Sequence, residues 1–225
     1  YRLEPREPGL TETQYQCRNW YHFCWLSGDD VTQSLVHNLD RVGWILGEET
    51  PKWAFALGGR SSSFGEVYGD MFDHSAVVYE YESGPRVYAL CQTRHNCYGN
   101  PGDIIMGTKG TCDLFRNRID GETKWRFRGP KNNPYQAEHD ALFASIREGK
   151  PINSGNHMAT GTLVAVMGQI ASYSGGPVTW DEVSRSNLEF GPTPDEASFN
   201  TPPPVTPDAT GNYPIPKPGI TPLVV

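Results

Sequence analysis

The sequence predicts an α+β fold: an open, mostly antiparallel β-sheet with helices packed on one face, plus an extended Pro-rich C-terminal arm. Three observations carry this. Between residues 52 and 128, short β-like runs alternate with turn residues. The joints Glu82-Ser83-Gly84-Pro85 and Thr108-Lys109-Gly110 are short enough to link antiparallel neighbours. Leu35, Leu39, Val42 and Leu46 recur at helical spacing ahead of that region, and two further helical patterns follow it at 134–148 and 158–174.

Taken in order, residues 1–16 are polar, carry Pro5 and Pro8, and read as a linker. The aromatic run Cys17–Leu26 is expected to be a strand, or a strand leading into a pocket wall. Ser27-Gly28-Asp29-Asp30 breaks it, and Asp30 with Gln33 three residues on suits a capping box opening a helix over 31–46. Opposite the leucine stripe of that helix lies a second stripe of Gln33, His37, Asp40 and Trp44, and Gly47 and Pro51 end it. Strands are expected at Lys52–Leu57, Ser75–Tyr81, Arg86–Thr93, Asp103–Met106, Thr111–Arg116 and Thr123–Arg128. Pro134–Glu148 and Met158–Ser174 are the later helices, stopped by Lys150-Pro151 and Gly175-Gly176-Pro177, and Thr179 caps a short helix over the next turn. From Gly191 onward the chain holds 10 of its 19 prolines, so this stretch can be neither helix nor central strand.

Composition narrows the function classes. The chain has 225 residues with 19 basic and 26 acidic side chains, a net charge of −7. That argues against an electrostatic nucleic-acid binder, which needs a clustered basic surface. Six Trp, eleven Tyr and nine Phe are enough aromatics to build a core. No apolar run approaches the roughly 18 residues of a membrane span. Five scattered cysteines (17, 24, 91, 97 and 112), with no Cys-x-x-Cys pair, argue against a disulfide framework or a zinc site of the usual spacing. The odd count favours reduced thiols, so a cytoplasmic location is expected, or a periplasmic one if a signal preceded this segment. Because residue 1 is Tyr, the chain is expected to be cut from a longer one.

Several signatures are absent: there is no Gly-x-Gly-x-x-Gly, His-Glu-x-x-His or Gly-x-Ser-x-Gly. Gly102–Lys109 approaches a phosphate loop, but Thr108 separates the second glycine from the lysine, and a hairpin turn fits better. His37 is the sharpest candidate, either a general base on a hydroxyl or a solvated partner of Asp40. Asp73-His74 is either a second polar contribution to a cleft or turn chemistry. Arg18, Trp20 and Trp25 form a candidate sugar platform, since flat rings match sugar C–H faces, with a wall or core role equally open for the tryptophans. A metal site on His37, His74 and His139 has no support from spacing, and none is expected.

The run from Trp25 to Gly47, with Gly58-Gly59-Arg60, Gly107-Thr108-Lys109-Gly110, Glu138-His139 and Ile170–Glu182, resembles the Gfo/Idh/MocA oxidoreductases. The resemblance covers residues 14–190 in the part that opens their C-terminal domain. It implies that 1–16 is a linker from a missing N-terminal Rossmann domain, 17–190 a substrate-binding and oligomerisation domain, and 191–225 an arm. It also implies NAD or NADP, bound mainly by a domain absent from this chain, and a sugar or polyol as substrate. A dimer or tetramer would form through the open sheet, and this chain alone would be inactive. His37 would be the acid–base residue, removing a hydroxyl proton as hydride leaves the same carbon. Arg18, Trp20, Trp25, Asp29, Asp30, Gln33, Asp40, Asp73 and His74 are the candidate substrate-binding residues. Where the family usually has a carboxylate four residues before the histidine, this chain has Gln33, which cannot raise the histidine's pKa as a carboxylate would. A non-catalytic carbohydrate-binding or assembly domain, and a redox-cycling glycosidase or lyase, are the alternatives.

Overall fold

The structure is a computed structural model and describes residues 3–221; Tyr1 and Arg2 of the expected linker and residues 222–225 of the expected arm lie outside the described residues. The chain divides into two compact units, one of residues 1–97 and 157–225 and the other of residues 98–156. The class is α+β with antiparallel sheets and helices packed against them, and the strands divide between two four-stranded sheets.

The first unit begins with α1 (Glu12–Arg18), closed at its start by a capping box between Thr11 and Gln14. A 3₁₀ turn at Trp20–His22 and α2 (Cys24–Ser27) follow. The aromatic run expected as a strand is therefore helical. Alternation is a weak guide when nearly every residue is large: Tyr15 and Phe23 are fully buried, and Phe23 meets Tyr15 and Tyr213 edge-on. The single helix expected over 31–46 is two, α3 (Asp29–Gln33) and α4 (Val36–Ile45), separated at Ser34-Leu35. Gly28 and Asp29 both adopt left-handed backbone, at φ 71° and 70°, so the α2–α3 corner turns too sharply for Asp30 to serve as the cap.

The sheet runs in the order β3 (Arg86–Gln92), β2 (His74–Tyr81), β1 (Pro51–Gly59), β8 (Val178–Thr179), all pairs antiparallel. Its inner face (Ala54, Ala56, Val77, Tyr79, Ala89) packs with Val31, Leu39 and the apolar side of α6 (Gly155–Ser174). Strict alternation of half-buried and buried positions along β2 is the period-2 signature of that arrangement. The outer face exposes Phe55, Leu57, Tyr88 and Leu90. Short α7 (Trp180–Ser184) carries the expected cap, a capping box between Thr179 and Glu182. Residues 191–221 contain no helix or strand and lie against α1, with carbonyls of Phe199, Thr201 and Val205 accepting from Thr11, Thr13 and Gln16.

The second unit is a meander, β4 (Ile104–Gly107), β5 (Gly110–Asp113), β6 (Arg118–Gly121) and β7 (Trp125–Arg126), followed by α5 (Pro134–Glu148). Asn133 caps α5, Pro134 occupies its first position, and Gly149 closes it at φ 66°.

Candidate functional site

A cleft of about 560 Å³ opens in the first unit where β1 and β3 end and β2 begins. Its size suits a small organic ligand. Asp30, at the second position of α3, and Ser34, four residues on, reach it from the helical side. Arg60, Ser63, Asp73, Gln92, Thr93 and His95 reach it from the sheet ends, and Tyr21, Tyr68 and Phe72 add aromatic surface.

The backbone around the cleft is held by buried polar groups. The Tyr21 hydroxyl donates to Asp30 Oδ1 at 2.6 Å. Arg60 donates from Nε to Met71 O (2.9 Å), from Nη1 to Gly69 O (3.0 Å) and from Nη2 to Tyr68 O (2.8 Å), clamping the 68–71 loop. Its pKa is lowered by burial. Gly58, two residues earlier, is required by close approach: a Cβ there would sit 2.0 Å from Ser172 Oγ on α6.

Asp73 is 2% exposed. Its Oδ2 accepts the N–H groups of Ser61 (2.9 Å), Ser62 (2.8 Å) and Ser63 (3.2 Å), while Oδ1 lies 2.6 Å from His74 Nδ1. Burial works against its ionisation, but the His74 bond and the N–H groups of Ser62, Ser61 and Ser63 outweigh it and hold the carboxyl down at about 2. An ionised Asp73 makes His74 Nδ1 the donor.

Beneath the cleft, Asp29 is 1% exposed and accepts the Tyr173 hydroxyl at 2.5 Å. That hydroxyl in turn accepts the Phe72 N–H at 2.8 Å, and the Tyr173 ring stacks on Phe72 with centroids 3.9 Å apart. Burial pushes Asp29 up to about 7 even against the Tyr173 hydrogen bond.

The structure thus brings two of the sequence candidates, Asp30 and Asp73, to the cleft. His74 sits beside it, paired across the strands with the lining residue Gln92. Asp29 lies underneath. Gln33 accepts the Ser34 hydroxyl at 2.7 Å. His37 is exposed, one helical turn beyond Ser34 and outside the lining. Trp20 is 41% exposed and stands edge-on to Tyr21. Trp25 packs against the buried cluster of Tyr15, Phe23 and Tyr213 and donates to Gln16 Oε1 at 2.7 Å, so it serves the core. Arg18 pairs with Glu7 at 2.7 Å. Asp40 Oδ1 lies 2.6 Å from His157 Nε2, away from the cleft, and His157 Nδ1 lies 2.8 Å from Glu48. Sequence reasoning passed over Tyr21, Ser34, Tyr68, Phe72, Gln92, Thr93 and His95 as site residues. Only Arg60 carried a signal, in the pair of glycines before it.

Among the described residues no group of His, Cys, Asp or Glu has the arrangement of a metal site. No helix there is long and apolar enough to cross a membrane. The described strands pair only antiparallel, so there is no parallel strand–helix–strand unit to cradle a dinucleotide, and the cleft's carboxylates would repel a pyrophosphate. The described residues do not fit a nicotinamide dinucleotide.

No family model and no curated protein sequence matches the chain. Solved structures do share the fold. An oxidoreductase from Thermotoga maritima superposes with a TM-score of 0.58 at 17% identity, covering 80% of this chain and 52% of its own. The WlbA dehydrogenase from Bordetella pertussis, in complex with NADH and UDP-GlcNAcA, gives 0.54 at 14% identity, covering 76% and 51%. The aldose-aldose oxidoreductase from Caulobacter crescentus, complexed with glycerol, gives 0.53 at 18%, covering 71% and 50%. These neighbours are Gfo/Idh/MocA-like oxidoreductases. At such identities the likeness is one of fold, and the chain spans about half the length of the structures it matches.

Proposed function

We propose that this chain is the substrate-binding half of an NAD(P)-dependent oxidoreductase acting on a hydroxyl of a sugar, polyol or glycoside. The observation that carries the reading is the coincidence of two features. The fold is shared with sugar and aldose oxidoreductases, and within it a polar, aromatic-walled cleft lies at the ends of the sheet. The nicotinamide would be bound mainly by residues outside this chain, since the residues present do not fit it. When bound, it would accept hydride from the substrate carbon.

The chain's own groups would bind and orient the substrate. Asp30, fixed by Tyr21, accepts a hydroxyl hydrogen; Ser34 and Thr93 supply further polar contacts. His37, following the cleft helix by one turn, is the proposed acid–base residue, with Gln33 orienting rather than ionising it. The exposed outer face of the sheet, with Phe55, Leu57, Tyr88 and Leu90, supports oligomerisation through that face. Without the nicotinamide-binding part, the chain would be inactive.

The test is nicotinamide reduction by the natural full-length polypeptide against a panel of sugars and polyols, with His37→Ala beside the wild type. Turnover that falls at least a hundredfold in the variant is the expected result. Full activity in His37→Ala removes that residue's role, and failure to reduce either nicotinamide with any member of the panel overturns the oxidoreductase reading.

A further inference from the structure

The charge arrangement in the cleft deepens the reading above and rests on it. The cleft's ionisable lining consists of Asp30 and Asp73, one arginine, Arg60, and the histidines His22 and His95. Arg60 is not available as an anion receptor in the usual way. Its Nε, one Nη1–H and both Nη2–H groups donate to the carbonyls of Met71, Gly69 and Tyr68, which leaves one of its five N–H bonds. The planar fork that would grip a phosphate or carboxylate is turned into the 68–71 loop. Its charge is also answered locally, because Asp70 and Asp73 both act on it electrostatically. Arg94, the neighbouring cation, donates from Nε and Nη2 to Gln92 Oε1, at 2.9 and 2.6 Å.

Against these committed cations stand two carboxylates in the lining, Asp30 and Asp73. An incoming anion would meet like charge in a partly desolvated cleft, where the lower dielectric strengthens the repulsion. Hydroxyl groups meet the opposite situation. Asp30, Ser34, Ser63, Gln92 and Thr93 offer acceptors and donors, and the rings of Tyr21, Tyr68 and Phe72 offer flat surfaces for C–H faces.

We propose that the cleft selects an uncharged, polyhydroxylated ligand and excludes phosphorylated, carboxylated and nucleotide-linked sugars, with Asp30 as the main charge-selective residue. The discrimination is repulsive: it comes from what the cleft rejects rather than from an added attraction.

Binding of the full chain to three probes tests this by titration calorimetry and saturation-transfer NMR. The probes are methyl β-D-glucopyranoside, glucose 6-phosphate and glucuronate. The neutral glucoside is expected to bind at least tenfold more tightly than either anion at low salt, and the ratio should shrink as added salt screens the carboxylates. Asp30→Asn keeps an acceptor for the Tyr21 hydroxyl while removing a charge, and should narrow the ratio severalfold. Equal or tighter binding of an anion, no binding of the neutral glucoside, or a salt-independent ratio would each overturn the proposal. Its failure is distinct from failure of the oxidoreductase reading: turnover restricted to a phosphorylated or nucleotide-linked sugar overturns this proposal alone, whereas absent nicotinamide reduction with tight glucoside binding overturns only the redox reading.

Discussion

Two aspartates, Asp29 under the cleft and Asp73 in its lining, expose almost no surface to solvent and titrate in opposite directions. Asp73 stands where the 61–63 turn aims three consecutive backbone N–H groups at one carboxylate oxygen and His74 supplies the other. Asp29 stands at a left-handed corner beneath packed aromatic rings, with the Tyr173 hydroxyl as its side-chain donor. Burial pushes both upward. The push is stronger at Asp29, where the Tyr173 hydroxyl and the Asp30 and Val31 N–H groups do not overcome it, and weaker at Asp73, where His74 and three N–H groups do.

The predictions break or sharpen this contrast. The largest effect is expected from Asp73→Ala, which leaves three backbone donors without their acceptor and should cost about 3–5 kcal/mol of stability in urea unfolding. A loss under 1 kcal/mol would mean that the 61–63 turn holds itself.

Next is Asp29→Asn. The folded pKa of Asp29, about 7, lies above the ordinary aspartate value of 3.8, so the folded state holds the proton more tightly. Its contribution is favourable below about pH 4 and is lost as pH rises towards 7. Asparagine tolerates left-handed backbone and cannot ionise. The variant should therefore gain about 2–4 kcal/mol over wild type at pH 8 and little at pH 4; a gain independent of pH would refute the assignment. Asp73 has the reverse sign. Its folded value of about 2 lies below 3.8, so its contribution is present above about pH 4 and lost as pH falls through 2.

Tyr173→Phe should come third, at about 1–3 kcal/mol, because the Phe72 N–H loses its acceptor and Asp29 its donor. The same variant should move the Asp29 titration, followed by carboxyl NMR, further upward.

The smallest effect is expected at His74→Gln, within about 1 kcal/mol, since the three N–H donors to Asp73 remain. It should appear mainly as a rise in the Asp73 pKa.

Much of the local structure was legible in the residues. Asn133-Pro134 and Gly149 mark both ends of α5, and the boundaries at Tyr81, Arg86 and Thr179 follow from turn and capping chemistry, because such signals act within four residues. The misreadings arise where the signal is not local. Cys17–Leu26 looks like a strand until Tyr213, some 190 residues away, is known to pack on Phe23. The break at Ser34-Leu35 follows from the sharp Gly28-Asp29 corner and the packing of Val31 against the sheet.

For the site the balance shifts further. Sequence alone named Asp30 and Asp73 only among ten site candidates headed by His37, but it determined the antiparallel α+β class, since periodicity and capping are properties of neighbouring residues. Only the tertiary structure decided that Trp25 belongs to the core, that Arg60 turns its donors inward, and that Tyr21, Phe72 and Gln92 share a cleft with those aspartates. The physical reason is that a side chain's partners, and through them its charge and availability, are set by groups distant in the chain that folding brings within hydrogen-bond reach.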